Sequence, residues 1–137
     1  MSEDRSDGDR PSPVDRSILA DLCGGDVAFE RRILGNFRRV TETDAPRLRD
    51  AVASSDAVAV TRLSHSIKGA SRTIGAHDLG NVCDRIEQAS RSAGWPTVLE
   101  NMPAFDREIG RVHDYLQSVF DGHAGSAPGR AKPPGER

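Results

Sequence analysis

The sequence predicts an all-α fold: an antiparallel up-down-up-down four-helix bundle with a short leading N-terminal helix. Apolar residues recur at steps of three and four in four long segments, which is the period of a helix and not the alternation of a strand. The connections between these segments are short, and short connections make neighbouring helices antiparallel. Hydrophobic residues make up 36% of the chain and aromatics 4%, a balance that suits an aliphatic helical core better than a β-sandwich. At 137 residues the chain reads as one domain with tails.

Residues 1–13 mix Ser, Asp, Arg, Gly and Pro without periodic apolar positions and read as a disordered tail. The bundle is expected over 14–121, with a second disordered tail over 122–137. Asp15 is placed to cap a short helix bearing Ile18, Leu19 and Leu22, which Gly24-Gly25 ends. Asp26 opens a long helix with Phe29, Ile33, Phe37 and Val40 on one face. Pro46 interrupts that pattern, so the helix kinks there or Asp44 caps a new one. Leu48 and Val52 continue the stripe, and one bent helix ending near Ser54-Ser55 is expected.

Asp56 caps the next helix, expected to run to Thr73 and to turn through Gly75-Ala76-His77-Asp78. A fourth segment carries Leu79, Val82, Cys83, Ile86 and Ala89, followed by a loop at Ser92–Pro96 that contains Trp95. The last helix begins near Thr97 and holds Val98, Met102, Phe105, Ile109, Val112, Leu116 and Val119 in register, with Pro103 early in the run.

The helix from 56 to 73 has two faces. Leu63, Ile67, Ala70 and Ile74 form an apolar stripe, while Arg62, His65, Lys68, Gly69 and Arg72 recur on the other side. His65 lies about 160° around the helix from Ile67, so it points to solvent. Gly69 is the odd residue, since a mid-helix glycine costs about 1 kcal/mol relative to alanine. Sitting one turn beyond the histidine, on its face, it is either a tolerated glycine where another helix packs closely or a gap through which a partner surface or a phosphoryl group can approach. Its place on the solvent side favours the gap.

An imidazole is mostly neutral and nucleophilic at neutral pH. Lys68 and Arg72 bring positive charge that suits an attached phosphoryl group. Alone, an exposed histidine beside a lysine is more often just a solvated face. No Gly-rich nucleotide loop, Walker A sequence or kinase signature accompanies it, so no autonomous kinase is expected.

His65-Ser-Ile-Lys68-Gly69, then Ile74-Gly75-Ala76, Leu79, Cys83 and Glu87, resembles the signature of histidine-containing phosphotransfer (HPt) domains of bacterial phosphorelays. The resemblance extends over roughly residues 15–120, and departs at Thr73, where that family often has Asn. It implies that His65 is the phosphoacceptor through Nε2, that Lys68 holds phosphoryl oxygens and that Gly69 admits the partner. It implies receiver domains of response regulators and hybrid histidine kinases as partners, with Mg²⁺ in the receiver and no cofactor or metal in this chain. Val58, Arg62, Ser66 and Arg72 are the candidate docking residues on the histidine face, with Ala70 beside them.

Two cysteines are too few for a disulfide framework, and Cys23 and Cys83 read as small buried hydrophobes. His77, His113 and His123 form no zinc-ligand spacing. A net charge of −2 favours neither nucleic acid nor a membrane surface, and no apolar run approaches the roughly 20 residues that span a bilayer. The start of the chain lacks the apolar core of a secretory signal, so a cytoplasmic protein is expected. Met1 and the polar tails favour a free-standing chain, and a monomer is expected because one bundle can bury its own stripes and the resembled family is mostly monomeric.

The leading expectation is a phosphorelay intermediate moving phosphoryl between receiver domains. The alternative is a catalytically silent bundle that binds and sequesters a response regulator, although such a binder has no need of the histidine. The dimerisation-and-phosphoacceptor domain of a histidine kinase fits less well: Ser66 follows His65 where that family has an acidic residue.

Overall fold

Three aspartates begin the first three helices. Asp15, Asp26 and Asp56 accept hydrogen bonds from the backbone N–H groups of Ser17, Phe29 and Ala59, satisfying donors that a helix start leaves open. The computed structural model describes residues 12–126, with side chains through residue 122. The tails expected at 1–11 and 127–137 lie outside the described residues. Five helices follow in order: α1 (Arg16–Cys23), α2 (Val27–Ala53), α3 (Ala57–Thr73), α4 (His77–Arg91) and α5 (Trp95–Ser126). No strand is present among the described residues.

Both interior prolines are carried without a break. Pro46 lies inside α2, which stays one helix, and Pro103 lies inside α5. The last helix departs from expectation at both ends. It starts at Trp95, not Thr97, because Pro96 then occupies the first turn, where a missing N–H leaves no bond unmade. Trp95 is therefore the first helical residue, half-buried against the core, and not part of a loop. At the other end α5 continues past the boundary expected at 122 and is described through Ser126.

Helix α2 packs on α3, α3 on α4, α4 on α5, and α5 returns to α2, so the four long helices close a ring. Leu34, Leu48, Ile67, Ile86, Phe105 and Leu116 are wholly buried at its centre. Each such side chain contributes about 1.5–3 kcal/mol relative to an exposed position. Cys23 and Cys83 are free and buried, and burial, aided by the negative charge of Glu87, pushes the Cys83 thiol up to about 12. A thiol held protonated in this way is unreactive. His113 is half-buried, its Nε2 lying 2.8 Å from Thr41 Oγ1. Burial lowers its pKa, so it is a neutral packing residue between α2 and α5.

The turn between α3 and α4 anchors the N-terminal segment. Ile74 and Ala76 are buried, and Gly75 between them has φ +78°, in the left-handed region. Asp15 N donates to Gly75 O at 2.8 Å, and a Cβ on Gly75 would lie 2.8 Å from the Asp15 carbonyl oxygen. His77, expected in the turn, is the first residue of α4, with Nε2 3.2 Å from Asp15 Oδ2. Gly75→Ala combines a strained φ with this clash and is expected to lower stability by about 1–3 kcal/mol in urea denaturation. Wild-type stability in that variant would mean that the α1 docking gives way freely.

Candidate functional site

Burial of Leu63 and Ile67 under α3 turns His65 outward, as the period requires, and leaves its side chain 66% exposed. The outward ring is nevertheless held. Its Nδ1 lies 3.0 Å from Oε2 of Glu87 on α4, a carboxylate only 1% exposed. An ionised carboxylate can only accept, so Nδ1 carries the proton and Nε2 is left with its lone pair away from Glu87.

Glu87 gathers the site. Lys68 Nζ lies 2.6 Å from its Oε1 and Arg91 Nη2 lies 2.7 Å from its Oε2. Lys68 also reaches Asp84 Oδ1 at 3.1 Å. Burial opposes charge on Glu87, but Lys68 and His65 outweigh it and hold the carboxyl below its ordinary value. Lys68 is in turn raised, chiefly by its bond to Glu87, and Asp84 is lowered, chiefly by Lys68. One turn away, Thr61 Oγ1 and Ser90 Oγ meet at 2.6 Å and add a second polar link between α3 and α4.

Lys68 differs from the sequence expectation. It is not a free cation on the solvent face: its side chain is 14% exposed and turned onto α4. The stem follows the α3–α4 seam because two carboxylates lie at its end. Arg91, by contrast, is half-exposed beside the imidazole.

Gly69 stands in the open. A Cβ added there would meet nothing within 4 Å, so nothing in this chain's own packing requires a glycine. The remaining candidates lie on the same helix, α3. Val58 is 79% exposed, and Ser66 is exposed one residue past the histidine. Arg62 lines a groove of about 380 Å³ with Arg47, Asp50 and Asp56. Arg72 is exposed about 10 Å along the helix from His65. Its side chain lies over Gly80 of α4, where a Cβ would come within 3.3 Å of Arg72 Cγ. Ala70 is half-buried against the core, as its place in the apolar stripe dictates.

Sequence reasoning placed no role on Glu87, Asp84 or Arg91. Glu87 carried a signal, since it falls on the inward side of α4 with Cys83, Ile86 and Ser90, all buried. A carboxylate at such a position needs a cation from a neighbouring helix. His123 lies outside the described side chains.

With this arrangement in place, the Hpt domain pattern matches residues 32–120, and the chain belongs to that family, whose members are phosphotransfer carriers rather than kinases. The match begins inside α2, so α1 and the start of α2 fall outside it. The fold is similar to the crystal structure of histidine-containing phosphotransfer protein B (HptB) from Pseudomonas aeruginosa PAO1. The TM-score is 0.74 at 24% identity, over 80% of this chain and 96% of that one. No curated protein matches the sequence.

Replacing Glu87 with Gln tests its place at the centre of the site. Its carboxyl titrates lower in the fold than at its ordinary value of 4.5. The stabilisation it contributes is therefore full above that value and is lost as pH falls through the lowered folded one. Near neutral pH, Glu87→Gln should cost about 3 kcal/mol, because Lys68 is left with Asp84 alone. Urea denaturation at neutral and acid pH should show the gap to wild type closing on the acid side. A gap independent of pH would point to packing and not charge.

Proposed function

We propose that this chain is a phosphorelay intermediate whose His65 Nε2 accepts a phosphoryl group from a receiver-domain aspartate and passes it to another receiver domain. The observation that carries this reading is the 3.0 Å contact of His65 Nδ1 with Glu87, which leaves Nε2 as the outward nucleophile on a 66% exposed ring. In the step, the Nε2 lone pair forms the N–P bond as the P–O bond to the receiver aspartate breaks. That electron pair leaves on the carboxylate. The Nδ1 proton stays on the ring, and Glu87 stabilises the positive charge that develops there. The reverse step delivers the group to the next aspartate.

Lys68 and Arg91 supply the countercharge. Both sit on Glu87 before transfer, and a phosphoryl dianion on Nε2 competes with that carboxylate for them. Gly69 clears the approach, while Val58, Arg62, Ser66 and Arg72 form the docking face around the histidine. The Mg²⁺ of this reaction belongs to the receiver, and the carrier needs no cofactor of its own. No helix among the described residues is long and apolar enough to cross a membrane. In this reading the chain works as a cytoplasmic monomer without kinase activity, and a stable dimer in light scattering would overturn the monomer.

Incubation with a phosphorylated receiver domain should move labelled phosphate to the wild type and not to His65→Gln. The label should be lost in acid and kept in alkali, as a phosphoramidate requires. Binding of receivers without any labelling would instead fit a silent bundle that sequesters them.

Gly69→Ala separates partner approach from folding. With open space at the Cβ, the variant should be equal to wild type or up to about 1 kcal/mol more stable. Its phosphotransfer should nevertheless slow by about 10²-fold if the methyl displaces the docked receiver. Unchanged transfer would remove Gly69 from the site.

A further inference from the structure

Three arginines on α2 have no role in the chemistry at His65. Arg31, Gly35 and Arg38 fall on one face of the helix at steps of four and three. The guanidinium carbons of Arg31 and Arg38 lie 4.9 and 4.6 Å from the centre of the Phe120 ring of α5. Arg32 stands next to them, against Phe29. Together with Ala28 these residues line a groove of about 550 Å³ between α2 and α5.

Among the described residues no carboxylate pairs with Arg31, Arg32 or Arg38, and Arg31 Nη1 is shut from solvent without a hydrogen-bond partner. The nearest acid in sequence to Phe120, Asp121, accepts from Gln117 instead. An unsatisfied buried donor is costly, and guanidiniums held against an aromatic ring lose less freedom on contact with an oxyanion. Gly35 leaves the floor open, since a Cβ there would meet nothing within 4 Å.

We propose that the α2–α5 groove binds an acidic segment of a partner protein, with carboxylates on Arg31 and Arg38 and an apolar side chain against Phe120. From Ala28 to Arg38 the groove follows α2 for about 15 Å, the length of four or five extended residues. A single inorganic oxyanion leaves most of that volume empty. A membrane surface is disfavoured by the net charge of −2, whereas a narrow acidic segment meets only the arginines. Val27, 54% exposed one turn before Arg31, extends the apolar rim.

The location gives the groove a use. His65 and Glu87 join α3 to α4, and the groove joins α2 to α5, so in the ring of four helices the two lie on opposite seams. A partner held at the groove leaves the histidine free and raises the local concentration of any receiver attached to it. This inference does not depend on His65 being the phosphoacceptor.

The test is fluorescence anisotropy of the full chain with a labelled ten-residue peptide of glutamates around a central leucine pair. A lysine-for-glutamate peptide, inorganic phosphate and phosphatidylglycerol vesicles serve as competing probes. The acidic peptide should bind, and the Arg31→Gln, Arg38→Gln double variant should weaken it about 100-fold, roughly tenfold for each guanidinium removed. Should that variant not keep its helical circular dichroism, Gly35→Glu serves in its place: it sets a carboxylate in the open floor and leaves both arginines on Phe120. Binding to His65→Gln should equal wild type. No peptide binding, binding unaffected by the groove variants, or loss with His65→Gln would overturn the proposal. Displacement by phosphate at peptide-like concentrations would reassign the groove to small oxyanions, and preference for vesicles to a lipid surface.

Discussion

A carboxylate buried between two helices sets the terms for the site. Glu87 is almost sealed from water, and an unpaired charge in that position would cost several kcal/mol. It is compensated only when α3 presents Lys68 and His65 to it and α4 brings Arg91 round one turn. The same requirement fixes the register of α3 against α4 and the orientation of the imidazole. Helix register and ring orientation thus rest on one group: the carboxylate that needs partners also holds Nδ1 of His65 and turns Nε2 away from itself.

The scaffold around this carboxylate keeps the histidine face separate from the core. Leu63 and Ile67 close the bundle beneath the histidine, and the hydroxyls of Thr61 and Ser90 continue the polar seam. At the turn after α3, Gly75 accepts the N-terminal segment so closely that Asp15 and His77 complete it. A closed ring of four helices has two pairs of opposite seams. One seam carries the histidine, and the opposite one carries arginines that nothing in the described chain neutralises.

Three glycines show how differently one residue type is used. Gly75 has a positive φ and a backbone pressed against it, so its lack of a side chain is structural. Gly80 makes room for the stem of Arg72. Gly69 is helical, exposed and untouched, and lowers helix propensity without any return inside the molecule. Of the three, it alone has no contact in the fold that calls for a glycine.

What the sequence determined by itself was everything carried by short-range pattern. The stripes of Leu63 and Ile67 or Phe105 and Ile109 have the helical period, and the caps at Asp15, Asp26 and Asp56 act within three residues, so elements and caps were legible before any packing was known. The outward position of His65 and the openness of Gly69 follow from the same period. The start of α5 was misplaced because Trp95-Pro96 reads as a loop locally, while packing of Trp95 on the core favours a helix. Only the tertiary structure decided the partners of Lys68, since the carboxylates it meets are 16 and 19 positions away, on another helix. The same holds for the arginines on Phe120, brought together from opposite ends of the bundle sequence. Helical period is a property of neighbours along the chain, whereas charge compensation is a property of neighbours in space, and the fold alone supplies the second.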